Sequence, residues 1–223
     1  MAETTMRTCT DCAARGCDKA DAQHPDFCVS EALDSAWLAD VVALYGDEQN
    51  KRVAIASATV ERDGHGTKTR VEETIEFAKR IGAKKIGIAT CVGLLKESRV
   101  LARLLRANGF DVYGIGCKVG EVPKTSIGAP LRCEQTGRNM CNPIAQAMLL
   151  NDEHTDLNIV MGLCVGHDSL FYRYSEAITT TLVVKDRVLV HNPVAALYAA
   201  DGVYRRKLEA TTGPFDPAEK TGE

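Results

Sequence analysis

The chain has no excess of positive charge: its 27 Lys and Arg are outnumbered by 30 Asp and Glu, for a net charge of −3. No basic stripe stands out and aromatic residues make up only 5%. The electrostatic footprint and the stacking platforms of a nucleic-acid binder are therefore both missing. No run of about 18 apolar residues occurs, so no α-helical membrane span is expected. The first eight residues hold no apolar signal core, and a cytoplasmic location is expected. The common nucleotide-binding and hydrolase signatures are absent too: no P-loop, Gly-x-Gly-x-x-Gly, Gly-x-Ser-x-Gly or His-Glu-x-x-His.

What the chain has in quantity is cysteine, nine in 223 residues. In a reducing compartment thiols stay free for metals or catalysis, and an odd count fits poorly with complete disulfide pairing. The nine fall into two settings. Cys9, Cys12, Cys17 and Cys28 crowd the first 28 residues, while Cys91, Cys117, Cys133, Cys141 and Cys164 are spread through the rest.

Periodicity supplies the frame. Residues 29–46 read as a helix with Leu33, Trp37, Val41 and Leu44 on one stripe. Residues 47–63 are ambiguous, and helix is favoured. Thr69 and Glu72 form a capping box that opens a helix closed by Gly82. From there the pattern alternates: strand 84–90, helix 92–107 with Leu94, Leu101, Leu104 and Leu105 inward, strand 110–116, and a helix opened by Asn142-Pro143. Strand 157–163, a short helix from Gly166, strand 179–185 and a helix from Asn192-Pro193 to about residue 208 follow. The expected fold is α/β: a parallel sheet of about four strands with helices on both faces, preceded by a cysteine-rich segment and helices. The expected division is a metal-binding segment at 1–30, a helical lead-in and α/β domain at 31–210, and a flexible tail at 211–223.

The N-terminal group reads Cys9-x2-Cys12-x4-Cys17-x10-Cys28. Four thiols in a stretch with few large apolar side chains need an organising centre, and a metal provides one because its binding free energy becomes folding free energy. The spacing accepts zinc or a 4Fe–4S cluster alike. The alternative is four idle surface thiols.

The second group has a topological signature. Cys91, Cys117 and Cys164 each follow a predicted parallel strand directly, at the sheet edge where open α/β sheets bind ligands. Cys141 precedes the Asn142-Pro143 helix start, whose positive end favours a thiolate. Three neighbouring strand ends span about 10 Å, wide for one zinc ion with sulfurs at about 2.3 Å, so an iron–sulfur cluster suits the layout better. The alternative is that each cysteine is a small buried hydrophobe. Cys133 sits in the aperiodic connection 118–140 and ranks below Cys141 as a ligand.

Polar candidates gather at the same edge. His167, Asp168 and His191 are candidate proton donors or acceptors, or partners of the metal ligands, with capping and loop hydrogen bonding as the plainer roles. Gly166 permits close backbone approach to a ligand. Lys118, Lys124 and Arg187 are placed to attract an anionic substrate or to remain solvated.

The stretches IGIATCVGL (86–94), CKVG (117–120), CNPIAQAMLLN (141–151), GLCVGHDSLF (162–171) and KDRVLVHNP (185–193), with the N-terminal cysteines, together resemble an uncharacterised family, domain of unknown function eighteen-forty-seven. That resemblance covers nearly the whole chain. It implies a cysteine-rich metal-binding protein of anaerobic bacteria and archaea and supplies no reaction. Cys133 lies outside the stretches that carry it.

The functional expectation is one or two iron–sulfur clusters, of the 4Fe–4S kind, ligated by Cys9, Cys12, Cys17 and Cys28 and by Cys91, Cys117, Cys141 and Cys164, in a protein that exchanges electrons with a redox partner or a small-molecule substrate. The alternatives are a non-catalytic zinc-binding or metal-handling module, and a thiol enzyme using Cys91 or Cys164 as nucleophile. Substrate and oligomeric state are not legible.

Overall fold

The structure, a computed structural model, describes residues 7–209. The chain divides after Thr59 into two compact units; the expected tail at 211–223 lies outside the described residues.

In the first unit a 3-10 turn, Cys9–Asp11, is held by the Thr8 N–H donating to the Asp11 carboxylate at 2.8 Å. Helix α1 spans Ser35–Ala43, later and shorter than the expected 29–46. The reason is Asp34. Its backbone is extended, and its carboxylate accepts the Trp37 N–H at 2.8 Å, so the helix is capped there and cannot begin upstream. The expected apolar stripe is not a buried face, since Leu33, Trp37 and Leu44 are exposed. Helix α2, Glu48–Gly64, whose last five residues belong to the second unit, opens on Asp47, whose carboxylate accepts the Gln49 and Asn50 N–H groups at 3.0 Å each. It is helical throughout the ambiguous stretch.

The second unit contains α3, Arg70–Arg80, opened by the Thr69–Glu72 capping box and followed by Gly82 at φ +76°. Strand β1 (Lys85–Thr90), helix α4 (Leu95–Ala107), strand β2 (Asp111–Gly116), helix α5 (Pro143–Asp152), strand β3 (Leu157–Met161), helix α6 (His167–Tyr174) and strand β4 (Ile178–Val183) follow. All pairings are parallel and the strand order is β2-β1-β3-β4. The chain reverses its direction of travel across the sheet between β1 and β3, the topological switch point where open α/β sheets place ligands. Successive residues of β4 show the two covered faces: Thr181 meets Tyr172 of α6, while Thr180 takes a hydrogen bond from Arg70 of α3.

The central strands β1 and β3 are buried almost throughout, as a parallel sheet covered on both faces requires. Ile86, Ile88, Leu105, Leu150, Leu157, Ile159 and Phe171 form the apolar interior. Leu104, expected inward, is exposed, while its neighbours Leu101 and Leu105 carry the buried stripe of α4. Two polar side chains are fully buried. Asn158 accepts from Thr155 Oγ1 at 2.8 Å and donates to Ser175 Oγ at 2.9 Å. Gln146 of α5 donates from Nε2 to the Thr90 carbonyl at 3.2 Å and the Ile115 carbonyl at 2.7 Å, clamping the ends of β1 and β2.

Strand β3 stops at Met161, short of the expected residue 163, because Gly162 turns at φ +67°. The expected helix from Asn192-Pro193 is instead two short helices, α7 (Val194–Tyr198) and α8 (Arg205–Glu209). No Asn192 side-chain bond caps the first of them. The connection 118–140 holds two 3-10 turns, Lys124–Ile127 and Leu131–Thr136, and a bridge between Pro123 and Asn139.

Gly162 sets the path from β3 to Cys164, and a Cβ added there would stand 2.2 Å from Leu94 Cδ1. Left-handed strain and overpacking act together in Gly162→Ala, which is expected to lose about 2 kcal/mol or more of stability. Urea unfolding should show a lower midpoint at an unchanged slope.

Candidate metal centre

The sheet continues by one hydrogen bond beyond its central strands, and those bonds seat the thiols. Cys91 N–H donates to the Met161 carbonyl at 3.1 Å, and Cys117 N–H donates to the Thr90 carbonyl at 2.8 Å. Cys91 and Cys117 are thereby the first residues past two adjacent, in-register strands. Asn142 N–H donates to the Cys117 carbonyl at 2.8 Å, which pins Cys141 beside Cys117. The Asn142 side chain caps α5 by accepting the Ala145 N–H at 3.1 Å. Cys164 ends the Gly162 turn, and its carbonyl accepts the His167 and Asp168 N–H groups at 2.9 and 3.1 Å, opening α6.

These four cysteines line one small recess with Gln146, Leu163 and His167. Cys91 and Cys117 are buried, Cys141 and Cys164 half-buried. Cys117 is hydrogen-bonded to both Cys91 and Cys141, so three sulfurs form a continuous chain. As the shared proton donor, and buried, Cys117 is pushed far above the ordinary thiol range. Its two acceptors go the other way. The Cys117 hydrogen bond, the Gly93 N–H and the Lys185 ammonium bring Cys91 down to about 5, against the opposing effect of burial. Cys117, the His167 imidazole and the charge of Lys118 bring Cys141 down to about 3. His167 is raised by its hydrogen bond to Cys141. Arg187 donates to Cys164 Sγ at 3.2 Å, and Val92 N–H donates to Cys117 Sγ at 3.4 Å. The recess thus holds two thiols drawn toward the thiolate form, Cys91 and Cys141, beside the charges of Lys185 and Lys118, with Arg187 on Cys164 and His167 on Cys141.

Other candidates lie elsewhere. His191 closes the loop after β4, accepting the Asp186 N–H on Nδ1 at 3.2 Å and donating its own N–H to the Asp186 carbonyl at 2.9 Å. Asp168 accepts the Ser169 N–H at 2.8 Å and adds a favourable charge to His167. Gly166, at φ +82°, starts α6 without lining the recess. Lys118 Nζ donates to the Asn139 carbonyl at 2.6 Å, while Lys124 binds the Cys133 carbonyl and Thr136 Oγ1. Both lysines therefore tie down the connection 118–140. Cys133 does not line the recess. Gln146 was not apparent from sequence. It is the one polar side chain on the buried face of α5, and its Oε1 has no partner among the described residues.

In the first unit Cys9, Cys12, Cys17 and Cys28 line a second recess with His24 and Phe27. Cys9 and Cys17 are exposed, Cys12 and Cys28 half-buried, and Arg7 stacks 4.4 Å from the Phe27 ring centroid. Among the described residues, no group of three or more His, Cys, Asp or Glu side chains is yet arranged to hold a metal ion. The donor chemistry of the core recess nonetheless fits a thiolate-ligated group, since two of its sulfurs are already poised to be deprotonated and metal binding releases the protons that remain.

A family model described as "Protein of unknown function (DUF1847)" matches residues 28–182. An uncharacterised protein of Methanocaldococcus jannaschii is 46% identical over 168 residues, covering 75% of this chain and 86% of that protein. The family match takes in Cys28 and the five cysteines from Cys91 to Cys164. Cys9, Cys12 and Cys17, and the stretch 185–193, fall outside it, so it is narrower than the resemblance read from the sequence.

The depressed Cys91 and Cys141 thiols remain thiolates at pH values where an ordinary thiol, of pKa about 8.5, is protonated. Alkylation of metal-free protein at Cys141 should therefore change little between pH 5.5 and 8, where an ordinary thiol accelerates about tenfold per unit. His167→Ala should restore part of that pH dependence. Peptide mapping by mass spectrometry after timed iodoacetamide exposure measures both.

Proposed function

We propose, for a chain that belongs to the DUF1847 family of proteins of unknown function, that the core cysteines bind an iron–sulfur cluster and that the protein exchanges electrons with a redox partner or a small anionic molecule at the carboxyl edge of its sheet. What supports this is the unbroken thiol chain Cys91–Cys117–Cys141, with Cys164 on the same recess. A core that uses cysteine only as a small hydrophobe has no need to set one beside two others drawn from separate elements.

Cys91, Cys117, Cys141 and Cys164 are the ligands in this proposal. When bound, the cluster supplies one-electron chemistry at a potential set by hydrogen bonds and charge around its sulfurs. The chain provides those settings. Val92 and Gly93 N–H groups donate to the sulfurs of Cys117 and Cys91. Lys185, Lys118 and His167 offset thiolate charge. Arg187 donates to Cys164 and is exposed, so its remaining N–H groups are free to orient a carboxylate or phosphate. Ligands drawn from two strand ends, a helix start and the turn between β3 and α6 favour a multi-iron group over a single zinc ion, whose sulfurs must all lie about 2.3 Å from one point.

Anaerobically purified full-length protein should contain iron and acid-labile sulfide in equal amounts and give an EPR signal after chemical reduction. Cys117→Ser should lower iron and sulfide several-fold. Stoichiometric zinc without sulfide, persisting after anaerobic reconstitution, would sink the proposal and assign a non-catalytic metal-handling module instead.

A further inference from the structure

His24 is the one side chain of the N-terminal recess that a four-thiol centre leaves without a task. It sits among Cys9, Cys12, Cys17 and Cys28. Its Nδ1 is buried and has no hydrogen-bond partner among the described residues. A buried ring nitrogen left unpaired is costly, and such a group asks for an explanation. The opposite nitrogen faces a carboxylate, with Nε2 3.6 Å from Glu31 Oε1. That placement favours the tautomer with its proton on Nε2, leaving the buried Nδ1 as an acceptor on a ring that lines the recess. Metal-ligating histidines are oriented in this way, donating the remote N–H to a carboxylate.

Spacing gives an independent observation. Cys9-x2-Cys12 and His24-x3-Cys28 are two short donor pairs separated by eleven residues, the arrangement of small tetrahedral zinc sites. Each pair lies on a tight turn. Cys12 N–H donates to the Cys9 carbonyl at 3.3 Å, and Cys28 N–H donates to the Pro25 carbonyl at 2.8 Å. Cys17 belongs to neither pair and is exposed on the segment between them.

We infer that the N-terminal segment is a zinc site ligated by the sulfurs of Cys9, Cys12 and Cys28 and by His24 Nδ1, with Glu31 orienting the imidazole and Cys17 outside the coordination sphere. A mixed nitrogen–sulfur donor set is ordinary for zinc, whereas 4Fe–4S clusters are held by thiolates. The site is built from residues separate from the core recess, so it stands or falls independently of the iron–sulfur proposal.

Cobalt titration of the full metal-free chain tests the ligand set, because thiolate-to-cobalt absorption and the ligand-field bands report sulfur and nitrogen donors. Every variant keeps the core cysteines, so differences from the parent protein isolate the N-terminal ion. Cys17→Ser should leave the bound equivalents and the spectrum unchanged. His24→Ala and Cys28→Ser should each weaken that equivalent at least tenfold. Loss of the ion in Cys17→Ser together with its retention in His24→Ala would establish a four-thiolate centre and overturn the inference. A second measurement does not depend on how the variants fold: nitrogen NMR of the histidine rings in zinc-loaded wild-type protein should show His24 protonated on Nε2 and metal-shifted at Nδ1. A proton found on Nδ1 overturns it as well.

Discussion

Two backbone hydrogen bonds, Cys91 N–H to the Met161 carbonyl and Cys117 N–H to the Thr90 carbonyl, carry the sheet one residue past its strands, and the core recess depends on them. Because β1, β2 and β3 are parallel and in register, the residues that follow them emerge side by side at one edge. The Gln146 amide reinforces this by binding the last carbonyl of β1 and the penultimate carbonyl of β2 from the helix that Cys141 precedes. Backbone geometry thus gathers the sulfurs, and the apolar packing of Leu150, Ile159 and Phe171 keeps that geometry rigid.

Once gathered, the thiols set one another's charge. Cys117, the donor to both, draws Cys91 and Cys141 toward the thiolate form, and the charges of Lys185 and Lys118 act in the same direction. Burial alone would do the opposite and keep each thiol neutral. Specific hydrogen bonds and positive charge outweigh desolvation at Cys91 and Cys141.

Much of this was legible in the sequence. The parallel sheet follows from strand–helix alternation, and Cys91 and Cys117 do stand directly after their strands; Cys164 was expected there too but lies three residues beyond β3, because Gly162 turns the chain at Met161. Asn142-Pro143 marked a real helix start because the Asn142 side chain reaches the Ala145 N–H. The same dipeptide at 192–193 misled, because no such bond forms there and the chain turns again after five helical residues. The stripe at 29–46 misled for a related reason: a capping aspartate at position 34 outweighs an apolar period. Gln146 was beyond reach, since its partners are strand carbonyls far away along the chain. The His24-x3-Cys28 spacing used by the zinc inference is visible in the sequence, beneath the density of cysteine around it.

The two cysteine groups differ in how far apart their members lie along the polypeptide, and this bears on the order of assembly. The N-terminal cysteines are close in sequence, so a zinc ion joining them as inferred above would supply most of that segment's order. The core donors come from elements that meet only after three strands have paired, each closing a long loop whose entropy must be met before any contact between them forms. The core recess is therefore a late product of folding. Under the proposed function, a cluster delivered there would enter a finished vestibule, and the nascent protein would keep its tertiary structure while waiting for it.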